Sequence, residues 1–264
     1  MTLDRSFVGV VCPPTVPHLV LPEEIRAFAE AVGEDHEVAP PTFAITLSMR
    51  ADEQVVRDPR LGLDYRRVLH REQRFVHHRP IRAGDELTVV VTVVEVRAVR
   101  GNDILVTRDK IATTAGEEVC TSTTTLLVRG ARELRPSAEV RGPGARRVHR
   151  ADLVRYADAS GDYNPIHLDP LAAKACGLPT VVAHGMLTMG LALREVTREI
   201  GPEAVASCSA VFTNPIPVPD EVGADLDVER TGHDPVRITV RSGGQQAAKV
   251  TAVLRGSNGV RAVL

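Results

Sequence analysis

The 264-residue chain contains no tryptophan, three tyrosines and five phenylalanines, so it offers no aromatic platform on which nucleic-acid bases would stack. Lysine is nearly as scarce, with Lys110, Lys174 and Lys249 standing against 32 basic residues in all. The 34 acidic residues bring the formal charge to -2, which gives no electrostatic drive toward nucleic acid or an anionic membrane. No apolar run approaches the roughly 20 residues of a bilayer span, and the opening MTLDRSFVGVVCPP lacks the layout of a signal peptide. Cys12, Cys120, Cys176 and Cys208 are scattered without a CxxC pair. That argues against a disulfide framework and a zinc site, and fits a reducing cytoplasm. What remains is an ordinary globular composition, 43% hydrophobic and 25% charged, on a length suited to one large or two average domains.

The chain reads as one unit written twice. FAEAVGED (28–35) and YADASGDY (156–163) run in register at an offset of 128, each on the apolar face of a short helix that ends at a glycine, Gly33 or Gly161. RPIRAGDEL (79–87) corresponds to NPIPVPDEV (214–222), and LLVRG (126–130) to AVLRG (252–256), at nearly the same offset. β-Branched alternating runs follow in both halves: 86–99, 103–116 and 118–130 in the first, with a turn at Gly101-Asn102, and 223–231, 236–244 and 245–256 in the second. These are antiparallel strands. The Arg-, Gly- and Pro-rich run around 130–147 reads as a linker, giving expected boundaries of 1–132, 133–147 and 148–264. The fold class is α+β in two similar domains. MLTMGLALREVTREI (186–200) is apolar nearly all round in its first two turns and is expected to be a central helix wrapped by a sheet.

The copies differ where chemistry would sit. After the helix-ending glycine, the second copy continues Asp162-Tyr163-Asn164-Pro165-Ile166-His167, whereas the first places Glu34 opposite Asp162 and Ala39 opposite His167. A carboxylate and an imidazole on one stiff turn can share a proton or orient a water. Asp162 also follows a helix C-terminus, where negative charge is disfavoured, a placement suited to proton transfer. Without that pairing, Asp162 and Asn164 would be turn formers and His167 a packed or surface histidine. Metal ligation by His167 and Asp169 lacks a supporting pattern. Ala183-His184-Gly185-Met186 opens the apolar helix, whose free amides suit a developing oxyanion, with Gly185 allowing close approach. His77-His78, placed before a strand, is expected to face solvent, and His36 and His70 fall in no matching motif.

GDYNPIHLDP followed by AHGM resembles the motif of the MaoC-like (R)-specific enoyl-CoA hydratases and (3R)-hydroxyacyl thioester dehydratases. FTNPIPVPD (212–220) is similar to the strand after the central helix in that family. APPTFAITL (39–47), LHREQRF (69–75) and RPIRAGDEL resemble the N-terminal dehydratase-like domain of the same superfamily. Arg71 stands where many relatives have glycine, in the acyl or pantetheine groove. The resemblance implies a pseudo-dimeric double hot-dog fold over roughly residues 7–256. It implies Asp162 and His167 as the catalytic pair, and Gly185, Asn164 and His184 as oxyanion or substrate-binding residues. It also implies reversible syn hydration of trans-2-enoyl thioesters on coenzyme A or an acyl carrier protein, with no cofactor or metal. Arg146, Arg147 and Arg150 are candidates for a basic landing patch, and a homodimer of such chains is compatible with the family. A catalytically silent first half follows from Ala39. The rival readings are a hot-dog acyl thioesterase and a non-catalytic acyl-thioester-binding subunit.

Overall fold

The computed structural model describes residues 2–128, 146–220 and 222–256. Most of the expected linker and the boundary at 132 lie outside the described residues. Arg146 and Arg147, assigned to that linker, are instead strand residues, because Arg146–Val148 pairs antiparallel with Ala224–Leu226 at a sheet edge.

The elements follow the alternation in the sequence. In the first half come β1 (His18–Leu19), α1 (Pro22–Ala31), α2 (Ile45–Val56), β2 (Val68–His77), β3 (Glu86–Val99), β4 (Asn102–Thr113) and β5 (Glu118–Val128). Leu87, Val89, Val91 and Val93 of β3 point into the core while the residues between them face outward, the period-two pattern of a strand buried on one side. The β3–β4 turn is one residue earlier than expected: Arg100 and Gly101 form it, both with positive φ, which closes a two-residue hairpin in the hand that strand twist prefers. The second half contributes β6 (Arg146–Val148), α3 (Arg150–Ser160), α4 (Pro170–Ala175), α5 (Gly185–Ile200), β7 (Val205–Phe212), β8 (Ala224–Thr231), β9 (Val236–Ser242) and β10 (Gln245–Leu254). Thus FTNPIPVPD is mostly the loop after the strand: only Phe212 belongs to β7, and Pro217 bridges to Val182.

The ten strands form one sheet in the order β1-β3-β4-β5-β2-β7-β10-β9-β8-β6. Read inward from either end, the order meets corresponding strands of the two copies. The halves join at β2 and β7, paired antiparallel with Phe75 opposite Cys208, so each covers an edge the other would leave open. Helices α1 and α3 start 128 residues apart and pack together. Their equivalent aromatics, Phe28 and Tyr156, meet across the pseudo-axis at 5.7 Å between ring centroids. Helix α5 runs buried inside its half of the sheet, and α2 takes that place in the first half. This is the double hot-dog arrangement, α+β and pseudo-dimeric. Among the described residues, no helix is long and apolar enough to cross a membrane.

Candidate active site

Gly161 adopts the left-handed conformation that ends α3, with its amide bonded to Ala157 O, and this turns the chain sharply into the Asp162 loop. Asn164 holds that loop with every polar group it has. Its amide N–H donates to Asp162 Oδ1 at 3.2 Å, its Oδ1 accepts from Ile166 N at 3.3 Å, and its Nδ2 donates to Tyr65 O in the first half at 3.3 Å. Pro165 then starts a single tight turn ending at His167. Ile166 O accepts from Val182 N, and His167 Nδ1 donates to Val182 O at 2.7 Å. A carbonyl can only accept, so Nδ1 carries the hydrogen and the neutral ring presents a bare Nε2. That Nε2 lies 4.0 Å from Asp162 Oδ2. Burial pushes the His167 imidazole below its ordinary value of 6.5, against the opposing pull of Asp162 and the Val182 carbonyl.

The pair opens on a cavity of about 720 Å³ walled by both halves. Gly185 of α5 is in this wall. The first intrahelical bond of that helix runs from Thr188 N to His184 O, which leaves the preceding amides at the open, positive end. A Cβ on Gly185 would meet the Phe212 ring at 3.3 Å, so the ring already occupies the side a larger residue would need. His184 departs from expectation. It is fully buried, and the cavity wall includes Ala183 and Gly185 but not His184, whose ring lies behind His167 at 3.9 Å between centroids. Its ring is thus set behind the cavity wall. Ligand atoms of Asp162, His167 and His184 lie within 4.8 Å of one another, a donor set that one cation would also accept.

The first half supplies groups that sequence reasoning left out. His70 of β2 lines the same cavity, edge-on to Phe212 at 5.3 Å and hydrogen-bonded to Gln73 Oε1 at 2.9 Å. Gln73 is fixed in turn by Ser122 and Thr124, both at 2.9 Å. Tyr65 lines the cavity too, its phenol pushed up by burial and then by the Asp162 charge. The signal was the LHREQRF stretch, which carried His70 without assigning it to either site. Arg71 sits at a bulge between His70 and Glu72, on the cavity wall. His77, expected in solvent, is buried at the end of β2, and burial lowers its imidazole to about 4. The basic patch is also largely committed: Arg147 forms a fork with Asp225, and Arg150 pairs with Asp220 and bonds Val218 O and Thr180.

The position equivalent to the site in the first half is filled. Beside Ala39 only about 10 Å³ remains, among His77, Pro202 and Val205. Glu34, the counterpart of Asp162, is buried and accepts from the Thr197 hydroxyl of α5 at 2.7 Å, tying the halves together. Burial pushes its carboxyl up.

Comparison with known proteins places this geometry. A family model described as "MaoC like domain" matches residues 132–250, and one described as "FAS1-like, dehydratase domain region" matches residues 6–122. The chain belongs to the MaoC-like dehydratase family. A solved MaoC-like dehydratase superposes with a TM-score of 0.80 at 29% identity, covering 94% of this chain and 98% of that one. HtdX of Mycobacterium tuberculosis shares the fold at a TM-score of 0.78 and 23% identity, over 92% of this chain and 99% of its own. Among curated relatives, a UPF0336 protein of Saccharopolyspora erythraea is 48% identical over 149 residues, 50% of this chain and 96% of the relative. One from Streptomyces avermitilis is 45% identical over 149 residues, 50% of this chain and 99% of the relative. Such relatives match half of this MaoC-like chain.

Proposed function

We propose that this chain catalyses the reversible hydration of trans-2-enoyl thioesters to (R)-3-hydroxyacyl thioesters, carried on coenzyme A or an acyl carrier protein. The observation that carries the reading is the bare Nε2 of His167 facing the Asp162 carboxylate at the wall of a cavity that also holds the open end of α5. In hydration, a water between the two side chains attacks the β-carbon, and His167 Nε2 accepts its proton. A proton is delivered from the same pair to the α-carbon on the same face, so the pair ends as it began. Charge that builds on the thioester oxygen meets the Gly185 amide and the positive end of the helix. Asn164 acts by holding the loop, since its polar groups are already engaged. The first half is catalytically silent: it has a filled site, and contributes His70, Tyr65 and part of α2 to the cavity wall.

The test is stereochemical. Separate (R)- and (S)-3-hydroxyacyl-CoA are supplied, and the conjugated enoyl thioester is followed by its absorbance. Dehydration of the (R) form alone supports the reading. Release of free thiol without enoyl product would replace it with a thioesterase.

A further inference from the structure

We propose that His184 is a positioning residue that holds Asp162 and His167 in their reacting arrangement without touching substrate, an inference that rests on the hydratase reading above. Three contacts carry it. The His184 ring stacks on His167 at 3.9 Å and 28°, on the side away from the cavity. His184 Nε2 donates to the backbone carbonyl of Asp162 at 3.1 Å, reaching across 22 residues to the loop that carries the carboxylate. Its own carbonyl accepts the Thr188 amide and hydroxyl and so begins α5, one residue before Gly185. One residue thus brings together three things that must agree: its side chain holds the backbone bearing the carboxylate and the plane of the imidazole, and its main-chain carbonyl begins the helix whose end faces the thioester.

The stack also has a definite protonation state. The acceptor at Nε2 is a carbonyl, so that nitrogen carries the hydrogen, and Nδ1 is buried with no hydrogen-bond partner among the described residues. Tyr156 closes the far side at 5.0 Å, and the ring is fully buried. Burial first, and then the neighbouring His167, hold the His184 imidazole down to about 3. When His167 takes a proton it therefore faces a neutral ring and not a second cation. The titratable groups facing His167 are Asp162, His184 and, from β2, His70.

Two substitutions in the full chain separate the two contacts. His184→Gln places an amide nitrogen where Nε2 was, keeping the donor to Asp162 O and removing the ring. His184→Phe keeps the ring and removes the donor. A misplacement of the order of an ångström costs about 10²-fold in turnover. We expect His184→Phe to lower kcat by about that factor with KM within about threefold, and to leave the acid limb of the pH profile in place. We expect His184→Gln to lose less turnover but to move that limb up toward 6.5, because water reaches the uncovered face of His167. Titration of the His167 ring by NMR in the parent and in His184→Gln gives the same shift without turnover, so the proposal stays testable if His184→Phe does not fold. A rise in KM at constant kcat would make His184 a substrate contact and overturn the proposal, as would unchanged kcat and an unchanged His167 titration. A parent protein without hydratase activity would count against the functional reading alone, and the NMR titration would then decide the stacking role.

Discussion

Replacing Asp52 by asparagine should stabilise the fold relative to the parent more at pH 8 than at pH 5. Asp52 of α2 and Asp109 of β4 are both buried and lie against each other, with Thr107 donating to Asp52 Oδ2 at 3.4 Å and the Ser48 and Ser122 hydroxyls beside Asp109. Burial pushes Asp52 up to about 7, and burial together with the Asp52 charge pushes Asp109 well up too. A carboxyl whose value is raised in the fold contributes stability that is fully present below its unfolded value of 3.8 and is lost as pH rises through about 7. At 1.36 kcal/mol per unit the whole loss is about 4 kcal/mol, of which about 3 kcal/mol falls between pH 5 and pH 8. Asparagine keeps the acceptor for Thr107 and puts an amide N–H where the proton stood, so it carries no such loss. His70, His77, His167 and His184 shift in the opposite sense and destabilise the fold as pH falls below 6.5, but they are common to both proteins and cancel in the difference. At ~2–4 °C per kcal/mol, Tm of Asp52→Asn minus Tm of the parent should grow by on the order of 10 °C from pH 5 to pH 8 in thermal melts. A difference that stays constant across that range would refute the shared-proton reasoning.

Other expectations concern the site. Catalysis needs neutral His167, whose value burial has lowered, so kcat should be level above pH 6.5 and fall only below it; an acid limb above 6.5 would contradict that. Glu34→Gln should leave kcat unchanged, because the amide still accepts from Thr197, whereas Asp162→Asn at the equivalent position should lower kcat by about 10²-fold or more with Tm preserved. Gly185→Ala should lower kcat/KM at little cost in stability, since the new methyl meets the Phe212 ring at 3.3 Å beside the oxyanion position; unchanged kinetics would remove Gly185 from the mechanism. Extended dialysis against a chelator should leave hydration intact, and loss of activity restored by a divalent metal would reassign Asp162, His167 and His184 as ligands.

Much of the architecture was legible because local pattern and tertiary environment agree. The alternating runs at 86–99 and 245–256 are strands, the 186–200 helix begins one residue earlier at Gly185, and the 128-residue offset superposes α1 on α3. The Asp162 loop was legible because a glycine, an asparagine and a proline each dictate a backbone conformation there. What stayed hidden is decided by contacts between distant segments. Strand β7 carries Cys208 and Ala210 inward with Ser209 between them, a weak alternation by itself, and becomes a strand through its pairing with β2. His70 and Tyr65 reach the site only because the halves join there. His77 was expected in solvent, and nothing in the sequence singles out Asp52 or Asp109, since their burial depends on partners 50 or more residues away or on packing at the junction. The family resemblance named His184 among the oxyanion or substrate-binding residues; what it could not convey is that consecutive residues at the start of a helix point in different directions and that the His184 ring packs in the core.

The most direct measurement is the hydration of a short trans-2-enoyl-CoA by the parent protein and by His167→Ala, followed by the loss of conjugated thioester absorbance with chiral analysis of the product. The parent should form the (R)-3-hydroxyacyl-CoA and His167→Ala should be slower by orders of magnitude while still folded. Equal rates in the two proteins, or an (S) product, would contradict the assignment of the Asp162–His167 pair.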